Sequence, residues 1–184
     1  MEECKLIALF GESGSGKDTI LKKVMDYDEE TGLHKFHKIV KYTSRPKRLG
    51  EIDGEDYIFR SPNIFPFEQM VATSTFNKDW YYGVNNNSFK NDKINIGVFD
   101  ITTIEQLIEN TNYKISPVRI KCKDEIRLTR AIKREEHPNC VEICRRFLAD
   151  KEDFNNLTFN YWTMYNNNTQ DLKLTVTDLY NFFD

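Results

Sequence analysis

A short run, Lys5-Leu6-Ile7-Ala8-Leu9-Phe10, stops at Gly11-Glu12-Ser13-Gly14-Ser15-Gly16-Lys17-Asp18-Thr19, and a helical pattern begins at once behind it. An apolar run without polar alternation has to be covered on both faces, as a strand inside a parallel sheet is. Beyond Lys17, the residues Ile20, Leu21, Val24 and Met25 fall on one helical face. Between strand and helix, glycines let backbone N–H groups close around phosphate oxygens with no Cβ in the way. The helix N-terminus adds its positive end, and a lysine placed like Lys17 reaches the β- and γ-phosphates. Gly11 through Thr19 are therefore the expected nucleoside-triphosphate-binding residues. The position after the lysine, where a magnesium-ligating Ser or Thr is usual, holds Asp18. A carboxylate serves magnesium directly or through water, and the Thr19 hydroxyl lies beside it. Asp18 and Thr19 are the candidate metal ligands, with Mg2+ as the implied cofactor.

The rest of the chain keeps the alternation going. Strand-like segments recur at His37–Thr43, Ile94–Phe99 and Lys114–Lys121, and helical patterns at Thr102–Asn110, Asp124–Arg134, Cys140–Phe154 and near Gln170–Phe182. Strands alternating with helices predict an α/β fold, a three-layer sandwich with a mostly parallel central sheet. The polar, aromatic, turn-rich stretch 45–89 breaks the rhythm and reads as an inserted substrate-side lobe. The expected division is a core of 1–44 and 90–184, that lobe, and a small lid at about 130–146, all in one domain.

Composition narrows the function classes. With 184 residues, of which 39% are hydrophobic, the chain can build a full core, and no apolar run is long enough to span a bilayer. A net charge of -3 argues against a nucleic-acid partner. Four scattered cysteines do not make a secreted disulfide framework, and Met1-Glu2-Glu3-Cys4-Lys5 is not a basic-then-apolar leader. An intracellular, cytoplasmic protein with reduced thiols is expected, free of membrane partners. The Asn85–Asn87 and Asn166–Asn168 triplets read as loops. Cys140, Cys144 and His137 lack an evident fourth zinc ligand, and His34 and His37 read as surface or packing residues. Phe154, Phe159, Tyr161, Trp162 and Tyr165 read as packing aromatics.

The segment from Tyr42-Thr43-Ser44-Arg45-Pro46-Lys47-Arg48 through Gly50-Glu51 and Gly54 to Asp56-Tyr57-Ile58-Phe59 resembles the nucleotide-binding lobe of guanylate kinases in order and spacing. Tyr81-Tyr82-Gly83 is similar to that family's paired tyrosines before glycine, and Val98-Phe99-Asp100-Ile101 to its central strand ending in aspartate. Arg134 and the Arg145-Arg146 pair look like its lid arginines. The resemblance implies a nucleoside monophosphate kinase with ATP as phosphoryl donor, which makes Gly11 through Thr19 the ATP-binding residues. Arg45, Arg48, Tyr57 and Tyr82 would hold the acceptor phosphate through forked, charge-assisted bonds and hydroxyls. Lys41 and Asp100 would lie on the base side, and Lys17, Arg134 and Arg146 would be catalytic.

The base-reading positions depart from the pattern. Four residues before Arg45, where the family has a hydroxyl, stands Lys41; nine before Tyr82, where it has a glutamate, stands Thr73; and two after Asp100 comes Thr102 in place of a carboxylate. GMP or dGMP is the leading acceptor. A broad or deoxynucleotide-directed monophosphate kinase, a kinase of a phosphorylated sugar, and a non-catalytic binding module of the same fold are the alternatives. The lobe and the lid are expected to close when both nucleotides bind.

Overall fold

In the computed structural model, which describes residues 4–48, 50–76, 79–134 and 136–183, strand β1 is Lys5–Phe10 and helix α1 is Lys17–Thr31. Leu49 of the lobe motif and Glu135 of the expected lid lie outside the described residues, as do the first three residues of the chain. Leu6, Ile7, Ala8, Leu9 and Phe10 are all fully buried, which is what an apolar run without alternation demands. Together with β2 (Phe36–Lys38), β7 (Ile94–Val98), β8 (Lys114–Lys121) and β9 (Trp162–Tyr165), β1 forms a five-stranded sheet in the order β2-β7-β1-β8-β9. The β2–β7 and β8–β9 pairs are both parallel.

The chain divides into two compact units, residues 1–8 with 35–116 and residues 9–34 with 117–184, and strands β1 and β8 run through both. The first unit carries a second sheet in the order β4-β3-β6-β5, made of β3 (Tyr42–Thr43), β4 (Ile58–Phe59), β5 (Met70–Phe76) and β6 (Trp80–Asn85). The segment expected as one strand, His37–Thr43, is two: β2 pairs with β7 in the central sheet, while β3 pairs with β4 and β6. Its two halves find different partners, so the chain changes sheet between Lys38 and Tyr42.

Helix α2 (Ile101–Asn110) starts one residue earlier than the apolar pattern suggests, because Asp100 is its N-cap and accepts from Thr103 N at 2.9 Å. Gln106 on α2 brackets the Thr73 peptide of β5, accepting from its N–H at 2.8 Å and donating to its C=O at 2.9 Å. Strand β5 is thereby fixed to a helix.

The second unit holds the glycine-rich loop, α1, α3 (Asp124–Lys133), α4 (Cys140–Asp153) and α5 (Thr169–Tyr180). Helices α1 and α5 meet through the Tyr27 and Tyr180 rings, 4.7 Å apart, and the Thr31–Tyr180 hydroxyl contact. Phe10 sits among Phe154, Phe159 and Tyr161, with centroids at 6.0, 5.4 and 5.6 Å. Those three aromatics pack as the sequence suggests. Trp162 and Tyr165 lie on β9, the last strand in the sheet order, and are 62% and 55% exposed, with the Trp162 ring edge-on to Phe182 at 5.7 Å.

Candidate active site

The glycine-rich loop owes its shape to close backbone approach. Gly14 and Gly16 have φ of +78° and +91°, and a Cβ on them would lie 2.8 Å from Arg127 O and 2.2 Å from Asn166 Nδ2. Any other residue there would meet strain and a collision together. Gly16 is also the N-cap of α1 and makes no side-chain capping bond, which leaves the helix's positive end open to an anion. Lys17 Nζ folds back over the loop, donating to Gly11 O at 2.7 Å and Glu12 O at 3.0 Å. Burial pushes the Lys17 pKa below its ordinary value, against the pull of Asp18, Asp150 and Glu12.

The Glu12 carboxylate is turned to Arg119 of β8, 2.6 Å from Nη2, and Arg119 in turn lies over the Phe154 ring at 4.8 Å. Within the predicted ATP-binding set, Glu12 therefore contributes its backbone and a buried ion pair. Asp150 of α4 accepts from Ser13 N at 2.7 Å, and Arg127 of α3 donates to Ser13 O at 2.9 Å. Burial raises the Asp150 pKa in spite of the Ser13 bonds and the Arg127 and Lys17 charges.

A cavity of about 560 Å³ opens beside this loop, lined by Ser13, Gly14, Gly16, Lys17, Asp18 and Thr19 together with Arg130, Arg134, Glu142 and Arg146. It brings together Lys17, Arg134, Arg146 and the two candidate magnesium ligands. Asp18 and Thr19 are exposed in the first turn of α1 and offer a carboxylate and a hydroxyl, hard oxygen donors of the kind Mg2+ takes alongside phosphate oxygens and water. The residues present fit that ion. Arg134, the C-cap of α3, is exposed. Arg146 donates from Nε to Glu142 at 2.7 Å, and Arg145 bonds the same carboxylate at 2.7 and 2.9 Å. Those bonds hold the Glu142 carboxyl at about 2.

Sequence reasoning passed over Arg130, which donates to Asn166 O at 3.0 Å and shares Nη1 between Gly14 O and Ser15 O. Its one signal was its place one helical turn before Arg134. Asn166, expected as an ordinary loop residue, is buried and donates to Ser15 O at 2.8 Å.

In the first unit the structure gathers Lys41, Arg45, Tyr57 and Tyr82. Arg45 is 4% exposed and forks onto Glu51 with bonds of 2.7 and 3.1 Å. Burial opposes its charge, but the Glu51 hydrogen bonds outweigh that and hold the guanidinium above its ordinary range. Glu51 is likewise burdened by burial and is held below the usual carboxylate range by Arg45 and by Arg48 N at 2.7 Å. The Arg48 side chain itself is exposed. The Tyr57 and Tyr82 rings lie 5.9 Å apart, and Lys41 Nζ stands 5.9 Å from each and 5.5 Å from the Phe99 ring. Asp100 has both oxygens engaged, Oδ1 with Thr103 N, and Oδ2 with Ser74 Oγ and Thr103 Oγ1, each at 2.8 Å. Its carboxylate is committed to the start of α2.

The model of the guanylate kinase family matches residues 3–183, nearly the whole chain. The chain belongs to the guanylate kinase family. Guanylate kinases of Streptococcus pyogenes serotypes M3 and M18 are each 41% identical to it over 68 residues, 37% of this chain and 29% of theirs. The alignment thus spans less than a third of those guanylate kinases. The crystal structure of guanylate kinase from Anaplasma phagocytophilum superposes with a TM-score of 0.70, covering 99% of this chain and 85% of that one at 14% identity. At that identity the likeness is one of fold. Among the described residues, no helix is long and apolar enough to cross a membrane.

Proposed function

We propose that this guanylate kinase family member transfers the γ-phosphoryl group of ATP to a nucleoside 5'-monophosphate, with GMP or dGMP as the leading acceptor, and releases ADP and the diphosphate. The observation that carries this reading is the loop cavity, in which Lys17 meets Arg134 and Arg146. A binding module of the same fold would need neither the lysine nor the arginines. Phosphoryl transfer requires alignment and neutralisation of the charge spreading over the transferred group, and no covalent nucleophile. Lys17 would leave the Gly11 and Glu12 carbonyls for the donor's β- and γ-phosphates. Arg134 and Arg146 would meet the transferring group. Asp18 and Thr19 would hold Mg2+, which adds charge neutralisation when bound. On the acceptor side, Arg45 and Arg48 would grip the monophosphate, and Tyr57 and Tyr82 would add their hydroxyls. The cytoplasm is the compartment that suits such an enzyme.

A broader acceptor range is the second reading, and the base side favours it. The Asp100 carboxylate already accepts from Ser74 and twice from Thr103, the Thr73 N–H and C=O are bonded to Gln106, and Lys41 offers donors only. At Thr73 and Thr102, where the family pattern has carboxylates, guanine's N1–H and N2–H donors would meet none, and each one left unpaired in a closed pocket costs about 1–3 kcal/mol. A coupled ADP-release assay across GMP, dGMP, AMP, dAMP, CMP, UMP and dTMP tests both readings. Turnover with none of them would refute the kinase. Turnover with GMP and dGMP alone would refute the broad acceptor.

A further inference from the structure

The Ser13 peptide, in the first bend of the loop, is gripped at both polar ends by side chains from two different helices. Its N–H donates to Asp150 Oδ2 at 2.7 Å, and its C=O accepts from Arg127 Nε at 2.9 Å. Arg127 Nη2 then donates to the same Asp150 oxygen at 2.7 Å, which closes the circuit. Ser13 Oγ donates to Oδ1 at 3.4 Å, Asp124 takes Arg127 Nη1 at 3.0 Å, and the Phe147 ring lies 4.8 Å from the guanidinium. The Arg127 and Asp150 side chains are 3% and 15% exposed, too dry for either charge to lose its partner lightly.

A loop that aims its N–H groups at phosphate has to turn its carbonyls away. Here the outward carbonyls are occupied: Ser13 O by Arg127, Ser15 O by Asn166, and Gly14 O by Arg130. The glycine-rich segment supplies none of these partners. They come from α3 and from the turn after β9, while α4 supplies the Asp150 acceptor for the Ser13 N–H.

We infer that Arg127 and Asp150 are positioning residues of the donor site, fixing the Ser13 peptide and with it the ligand-binding shape of the loop. Neither lines the loop cavity. Asp150 lies one helical turn beyond Arg146 on α4, so the helix that brings Arg146 to the cavity also anchors the loop. This inference rests on the reading of the loop as the ATP site.

The test is binding of MgADP and of GMP, each titrated separately, to the full chain and its variants, with thermal unfolding alongside. If Asp150→Ala lowers the population of the competent loop to about a tenth, the MgADP Kd rises about tenfold while the GMP Kd is unchanged. The Arg127→Met, Asp150→Ala double variant should then bind MgADP no worse than Asp150→Ala alone, as partners in one network do. If Asp150→Ala fails to fold, Asp150→Asn replaces it. It keeps an oxygen for Ser13 N–H but loses the charge facing Arg127, and an MgADP Kd raised about threefold is expected. A lowered Tm with MgADP affinity intact, or donor and acceptor affinities falling together, would show a merely structural pair and overturn the inference. Wild-type chain that binds no MgADP would instead sink the donor-site reading, and this inference with it.

Discussion

Removing Glu51 isolates what the acceptor-side arginine needs. Arg45 is 4% exposed with Glu51 in place, and in Glu51→Ala it loses its forked counterion while Arg48 N loses its acceptor. Breaking a buried pair by deleting one partner costs about 3–5 kcal/mol. The low end applies, because the Glu51 side chain keeps 19% of its exposure and water relaxes around the orphaned charge. For a chain of this size, about 3 kcal/mol lowers Tm by roughly 6–12 °C. The pH dependence carries a definite sign. The folded Glu51 carboxyl titrates below its unfolded value, so its stabilisation is present above the unfolded value and is lost as pH falls through the folded one. The Tm gap between wild type and Glu51→Ala should therefore be full at neutral pH and shrink in acid. Glu51→Gln keeps the shape but cannot titrate, and its Tm should follow pH less steeply than wild type there. Kinetically, a misplaced Arg45 should raise KM for the acceptor and leave KM for ATP unchanged. Thermal unfolding between pH 3 and 7, with steady-state kinetics at neutral pH, checks the set. Equal Tm values across the range, or a rise confined to the KM for ATP, would refute the assignment of Glu51 and Arg45 to the acceptor phosphate.

Lys17→Ala should lower kcat by at least about a hundredfold, the scale of a lost transition-state donor, with circular dichroism unchanged; near-wild-type kcat would end the kinase assignment. Arg146→Ala should lower kcat by about a hundredfold, whereas Arg145→Ala, which loses only an exposed pair with Glu142, should stay within about twofold; the reverse order in steady-state assays would move the catalytic role to Arg145. Lys41→Ser, which restores a hydroxyl on the base side, should shift the ratio of kcat/KM values toward GMP over dTMP, and an unchanged ranking would remove Lys41 from base recognition.

What could be read along the chain was what depends on neighbours in sequence. The β1 run and the glycine loop are contiguous, so pattern and structure agree on the bounds of β1 and the start of α1. On the α1 face Ile20, Leu21 and Val24 are buried as expected, Met25 is half-buried and Asp28 is buried with them. Where the apolar period decided a boundary alone it slipped, as at α2, which the Asp100 cap starts one residue early. The division of His37–Thr43 was out of reach for another reason. The strands that compete for its two halves, β7 on one side and β4 and β6 on the other, lie far downstream, and no local signal reports which partner each half will take.

The same physics separates the parts of the candidate site. Lys17 and its glycines form a motif because one stretch of backbone must do the whole job of cradling phosphate. The groups that hold that backbone in place have no such constraint. Arg119 reaches Glu12 across 107 residues, Arg127 reaches Ser13 across 114, and Asp150 reaches it across 137. Each is only a charged residue in a helix or strand until the second unit folds, and 30% of the chain is charged. Burial makes the distinction that spacing cannot. A solvated arginine has no need of a partner, whereas Arg127 and Arg119, at 3% and 8% exposure, persist in the interior only because carboxylates meet them there. In this chain those carboxylates and arginines are bound to the glycine-rich loop or belong to it, so the energy that keeps the charges inside also fixes the loop.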